Sequence, residues 1–311
     1  MNTLLSRLEQ IWLSAGADTL ANSLKPLKEV IAGPGGKKIL PFLELPGLCC
    51  ASAGGYASDA DDLSTAWGIF YLAAHWIDSV ADHQAPERET SLRLSLASAA
   101  LAAGDLILDD LSLDGPQGRN THRAIRKEFH QAVLSASAGQ AYDAAQLRPD
   151  LDESWRMVEL KTGSVYALAC RAGSRLVTDD EEALEQWGEF GLQLGVLVQI
   201  ADDLQDIDPG SGANDLGSGQ WNLAVAFAMD TATPSERLSL ERDLQAARND
   251  FSNLQALRSK ILHSGAMLYL ITEAERRRRR AEAALKAVSK PSPDRERLLE
   301  LLNLAVSMRQ P

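Results

Sequence analysis

Five aspartates fall into two clusters whose spacing suits a shared task. Asp78 and Asp82 lie in WIDSVAD (76–82), and Asp202, Asp203 and Asp206 lie in QIADDLQD (199–206). On a helix, residues four apart share a face. Asp78 and Asp82 therefore project together, as do Asp202 and Asp206, with Asp203 beside them. One such pair on an amphipathic helix is ordinarily a solvated surface feature. Here both clusters close segments that are apolar nearly all round, LSTAWGIFYLAAHWIDSVAD (63–82) and FGLQLGVLVQIADDLQD (190–206). Carboxylates at a helix C-terminus oppose the macrodipole. Bringing both clusters together without a cation would also raise several of their pKa values. A divalent cation removes the conflict, and oxygen-only ligation points to Mg²⁺. Mg²⁺ keeps several waters and binds through one or two carboxylates plus substrate phosphate oxygens. The expectation is a phosphorylated substrate held above an apolar helical cavity.

Other elements must position these two helices. Apolar residues recur at i, i+3, i+4 and i+7 along almost the whole chain, and strand signals are nearly absent. The pattern predicts helices at about 3–22, 24–32, 38–54, 59–83, 88–112, 119–143, 151–176, 180–207, 219–229, 234–262, 266–288 and 292–308. Breaks fall at GPGG (33–36), LDGPQG (113–118) and DPGSGANDLGSG (208–219). No long linker or internal repeat divides the 311 residues. The prediction is one all-α domain, 1–311, a bundle of ten or more helices around a central apolar cavity.

The formal net charge of −12 argues against a nucleic-acid partner and against lasting attachment to an anionic membrane. Cys49, Cys50 and Cys170 have no metal-ligand spacing and read as small buried residues. The N-terminal segment carries Arg and Glu at helical spacing, unlike a signal peptide. No uninterrupted apolar run approaches the ~18 residues that span a bilayer. A soluble, cytoplasmic protein without a stable membrane anchor is expected.

DDLQD (202–206) resembles the second aspartate-rich motif of the trans-isoprenyl diphosphate synthases, with Gln199 in the place of the glutamine that precedes it. DSVAD (78–82) resembles their first motif, with Ser79 replacing its second aspartate. GGKKILP (35–41), LKTGSVYALACRAG (160–173) and NDLGSGQWNLAVAFAM (214–229) resemble three further blocks in family order. The chain is thereby identified as a divergent member of that family, with the class I isoprenoid synthase fold. The resemblance implies that Asp78, Asp82, Asp202, Asp203 and Asp206 bind the Mg²⁺ ions holding an allylic prenyl diphosphate. Lys161 would stabilise the departing diphosphate, making Asp78, Asp82, Asp202, Asp203 and Lys161 the catalytic set. Thr162 and Gln199 would support substrate binding. Lys37, Lys38 and Arg88 would bind the diphosphate of a second substrate. Phe70, Ala73 and Ala74, one and two turns before the first aspartate, would line the hydrocarbon pocket, with Tyr71 beside Phe70. The small Ala73 and Ala74 leave that pocket open for a C15 or C20 chain. A homodimer is implied as well.

The chain departs from the family where the second substrate, isopentenyl diphosphate, is bound. Leu40 stands in place of an arginine, Glu87 in place of the first of two arginines, and Gln220 in place of a lysine. The preceding loop has no lysine. An arginine fork binds diphosphate better than any neutral group. The expected chemistry is therefore loss of diphosphate from an allylic substrate. The prenyl cation then passes to isopentenyl diphosphate or to another acceptor. A terpene cyclase is the alternative, with Trp67, Phe70, Tyr71 and Trp76 as aromatic candidates to stabilise cations. A non-catalytic subunit of a heteromeric synthase is a third reading, opposed by the intact DDLQD. His75 is expected to pack, and the run RRRRR (276–280) to form a solvated or inter-subunit face.

Overall fold

The computed structural model describes residues 2–31, 40–81, 86–111, 113, 115–145, 148–208, 215–247 and 251–307. Lys37, Lys38, Asp82 and residues 209–214 of the 208–219 loop lie outside them. No strand occurs among the described residues, so the chain is all-α as its periodicity predicts.

Helices α1 (Asn2–Ser14) and α2 (Asp18–Ile31) divide where one helix over 3–22 is predicted. The chain turns at Gly16, whose φ of 71° is left-handed, and the Ala17 N–H donates to the Trp12 carbonyl at 2.8 Å. This six-to-one closure is a Schellman-type stop. A 3₁₀ turn (Leu40–Glu44) leads into α3 (Leu45–Ser52). Then come α4 (Asp61–Ala81) and α5 (Thr90–Asp109), which pack along one another, and α6 (Gly115–Ala144).

The predicted helix at 151–176 exists with a change of pitch inside it. It runs as α7 (Leu151–Val158), a π turn (Glu159–Gly163) and α8 (Ser164–Arg175). Next is α9 (Glu181–Asp206), whose first turn is capped by Asp180 accepting from the Glu182 N–H at 3.0 Å. Helix α10 (Leu223–Thr231) starts later than predicted because Asn222 caps it, accepting from the Val225 N–H at 3.0 Å. The stretch predicted as 234–262 comprises α11 (Pro234–Ala247) and α12 (Phe251–His263), packed on each other. Helices α13 (Ala266–Val288) and α14 (Pro293–Ser307) complete the bundle.

Helix α9 is the axis of the bundle, with α8 and α13 packed along it. Its Trp187, Phe190, Leu194 and Leu197 are buried. Each such side chain contributes about 1.5–3 kcal/mol through loss of water contact. The cysteines are buried, as expected, and form no disulfide with one another.

The stretch Glu87–Asp109, containing α5, is by length and composition apolar enough to cross a membrane, with a hydropathy of 1.4. That exceeds the sequence expectation that no run approaches this. In the fold it packs on α4, where Gly104 lies against Ala66 and Ile69; Ala97, Ala100 and Ala103 are buried, while Leu94 and Leu106 remain exposed.

The arginine run is less uniform than a solvated face. Arg278 and Arg279 pair with Glu275, and Arg280 pairs with Glu189. Arg277 turns inward, 8% exposed, to Glu159 at 2.7 Å and over the Trp155 ring at 4.9 Å from its centroid. A single arginine per turn of α13 thus meets α7 and the π turn, because neighbouring residues are about 100° apart on a helix.

Candidate active site

The stripe Trp67, Tyr71, Ala74 and Asp78 runs up one face of α4, at spacings of four, three and four residues. Trp67 is locked at the bottom, its indole N–H donating 2.8 Å to the Val165 carbonyl of α8. Tyr166 of α8 packs against this stripe, with its ring 6.2 Å from Tyr71 and 5.9 Å from Trp67. Phe42 packs edge-on against Tyr166 at 5.4 Å. The Tyr166 and Tyr71 hydroxyls are hydrogen-bonded to one another.

Burial pushes the Tyr71 hydroxyl up to about 12 against the pull of its bond with Tyr166, and both Asp202 and Asp78 add to the rise. One phenol therefore senses a carboxylate from each of the two helices. Asp78 of α4 and Asp202 of α9 thus both lie within electrostatic reach of Tyr71. Asp78 is held from a third side by Lys161, whose Nζ lies 2.6 Å from Asp78 Oδ1.

Lys161 and Thr162 both sit in the π turn, which widens the helix where the side chains must reach the site. Such turns recur at functional positions. Tight neighbours hold it: a Cβ on Gly139 of α6 would come within 2.8 Å of the Lys161 backbone nitrogen, and one on Gly195 of α9 within 2.9 Å of the Thr162 carbonyl. From this turn the Thr162 hydroxyl donates to Gln199 at 3.0 Å, and Gln199 donates to Asp203 at 2.9 Å.

The adjacent aspartates have different surroundings. Asp203 is only 2% exposed, and its other oxygen accepts from the Leu223 N–H at 2.8 Å, fixing the start of α10. Asp202 is half-buried beside Tyr71 and Tyr166. Asp206 is 8% exposed, accepts from the Asn222 amide at 3.4 Å, and its backbone carbonyl accepts from Arg258 at 2.9 Å.

Ser79, the residue replacing an aspartate, faces away from this centre. It is 3% exposed, donates to the Trp76 carbonyl and accepts from Arg93 at 2.9 Å. Among the pocket candidates, Ala74 falls on the Asp78 stripe. Ala73 is fully buried, and Phe70 packs against Phe129 of α6, with 6.4 Å between rings. Arg88 is exposed on a 3₁₀ turn. Asp82, Lys37 and Lys38 lie outside the described residues.

Tyr166, Asn222 and Arg258 are site-adjacent residues that the motifs alone do not single out. Tyr166 stands five residues after Lys161, inside a recognisable block, whereas Arg258 has no local signal.

Among the described residues, no three acidic, histidine or cysteine side chains form a metal cage. The donor set is carboxylate oxygen on two converging helices. That suits Mg²⁺, which completes its shell with water and a ligand's phosphates.

An α-helical bundle with paired aspartates above an aromatic floor defines the class I isoprenoid synthase architecture. The polyprenyl synthetase family matches residues 24–261, and the chain belongs to that family of prenyl-transferring enzymes. A geranylfarnesyl diphosphate synthase of Aeropyrum pernix is 27% identical over 295 residues, covering 86% of this chain and 88% of its own. Among solved structures, a decaprenyl diphosphate synthase from Rhodobacter capsulatus superposes with a TM-score of 0.83 at 18% identity, over 100% of this chain and 96% of its own. A polyprenyl synthase from Caulobacter crescentus CB15, complexed with calcium and isoprenyl diphosphate, gives 0.76 at 21% identity over 98% of each chain.

Proposed function

We propose that the protein is a Mg²⁺-dependent prenyl transferase that ionises a C15 or C20 allylic diphosphate and passes the prenyl cation to isopentenyl diphosphate or another acceptor. The observation that carries this reading is the π turn, from which Lys161 reaches Asp78 of α4 at 2.6 Å while Thr162 connects through Gln199 to Asp203 of α9. Bound Mg²⁺ would neutralise the diphosphate and stabilise charge developing on it as the C–O bond breaks. Asp78, Asp202, Asp203 and Asp206 are the described candidates to hold it, with Asp82 completing the set. The Lys161 ammonium sits where it can donate to the leaving diphosphate, favouring the bond-broken state. Trp67, Tyr71 and Tyr166 exclude water from the space beneath and offer π faces to a cation. The calcium and isoprenyl diphosphate of the Caulobacter enzyme support a metal-held diphosphate in this fold.

A terpene cyclase is the second reading. It is favoured by Gln220 in place of a cationic side chain and by the aromatic cluster of Phe42, Trp67, Tyr71 and Tyr166 beneath the aspartates. Incubation with C10, C15 and C20 allylic diphosphates and Mg²⁺, with and without isopentenyl diphosphate, separates the two. Longer diphosphates formed only with isopentenyl diphosphate support elongation, and hydrocarbons or alcohols formed without it select the cyclase. Consumption of no substrate under either condition would overturn both.

We also infer that two copies associate. The apolar α5 leaves Leu94 and Leu106 exposed, and α6 leaves Leu134 70% exposed. Light scattering should give twice the chain mass, and Leu106→Glu with Leu134→Glu should halve it.

A further inference from the structure

We propose that Arg258 is a positioning residue for the second aspartate cluster, a built-in counter-charge that fixes Asp206 and the end of α9 before any metal arrives. This rests on the diphosphate reading above.

Arg258 comes from α12, 52 residues beyond Asp206, and is 1% exposed. A guanidinium is expensive to bury, so one found there needs strong compensation. Its Nε donates 2.9 Å to the Asp206 carbonyl. That carbonyl belongs to the last turn of α9, where helical carbonyls lack intrahelical partners. The last turn is also the negative end of the macrodipole. Burial pulls the guanidinium below its ordinary value, and the negative charges of Asp206 and then Asp208 push it back up. An amide side chain could satisfy a lone carbonyl without bringing a charge into the interior. The charge is explained by its setting, since Asp202, Asp203, Asp206 and Asp208 fall within seven residues of helix end.

Two of its contacts divide the placement of Asp206. Arg258 holds the main chain, and Asn222 orients the carboxylate at 3.4 Å while its own oxygen caps α10. The residue resembling a family lysine is here Gln220. A cation contributed from α12 offsets part of that lost positive charge.

The test compares wild type with Arg258→Lys and Arg258→Gln by thermal unfolding, in EDTA and in saturating Mg²⁺ with inorganic pyrophosphate. Circular dichroism confirms that each variant is helical. In EDTA, Arg258→Gln should unfold on the order of 5 °C lower, and Arg258→Lys should recover most of that loss. With Mg²⁺ and pyrophosphate the deficit of Arg258→Gln should shrink by half or more, because bound Mg²⁺ supplies the missing charge. Equal losses for Lys and Gln, or a deficit that Mg²⁺ and pyrophosphate leave undiminished, would overturn the proposal and leave a purely structural arginine. A wild type that Mg²⁺ and pyrophosphate do not stabilise at all sinks the diphosphate reading, and this one with it. That outcome is read from the wild type alone. If Arg258→Gln does not fold, Arg258→Lys against wild type carries the comparison: its deficit in EDTA must close with Mg²⁺ and pyrophosphate, and a constant deficit counts against the role.

Discussion

Lys161 and Asp78 meet across the site at 2.6 Å, the lysine from a π turn and the aspartate from the last turn of α4. The pair is partly exposed, so its electrostatic value for stability is small. In the proposed reaction its importance is positional, because the ammonium would meet the leaving diphosphate. Lys161→Ala should lower kcat by about 10²–10³-fold while shifting the unfolding temperature little. Steady-state rates within threefold of wild type would remove Lys161 from the chemistry.

Asp202 and Asp203 are neighbours that should fail differently. Asp202→Ala should abolish turnover and leave thermal stability near wild type. Asp203→Ala should strand the Leu223 N–H and the Gln199 amide, destabilising the fold by about 1–3 kcal/mol. Denaturant titration of both variants beside wild type checks this. Equal stabilities for the two would mean that Asp203 does not anchor α10. Excess EDTA should stop the wild-type reaction, and continued turnover in EDTA would refute a metal-held substrate.

Chain length should be read by the stripe below Asp78. Tyr71, seven residues before Asp78, lies about 10 Å deeper along α4, and Ala74 stands between them. A short chain leaves this space underfilled, at a cost of about 0.8 kcal/mol per unburied CH₂. C15 or C20 diphosphates should therefore be preferred over C10. Ala74→Phe should reverse that order, and Tyr71→Ala should admit a longer chain. Identical rankings of C10, C15 and C20 by all three proteins would show that the hydrocarbon runs elsewhere.

Gly139 offers a test that touches no reacting group. Its absent Cβ leaves room for the Lys161 backbone, which a methyl would meet at 2.8 Å. Gly139→Ala should destabilise by about 1–3 kcal/mol through overpacking. It should also lower kcat at least tenfold, because small displacements of a positioned group are costly. KM for the allylic diphosphate should change less than kcat. An unaltered kcat in a folded variant would show that the π turn tolerates movement.

The helical class and the two aspartate clusters were legible without coordinates, because both rest on local periodicity. Apolar residues every three to four positions specify helices, and an i, i+4 repeat places Asp202 and Asp206 on one face wherever that helix goes. The five ordered motif blocks carried the family for the same reason, being contiguous strings. Local signals were weaker at boundaries: Gly16 splits one predicted helix, and Asn222 delays another.

Which residues meet across the bundle was decided by tertiary packing. Ala73 and Ala74 are equivalent by composition, yet a 100° step buries one and leaves the other on the Asp78 stripe. Asp202 and Asp203 read as twins, yet one is half-buried beside the phenols and the other is closed in by Gln199 and the Leu223 amide. Arg277 leaves a run of five arginines to meet Glu159, and Arg258 crosses 52 residues of chain to reach Asp206. Spacing along a chain determines which face of its own helix a side chain shares. The partner facing it comes from another helix, and only the packing of the two sets that.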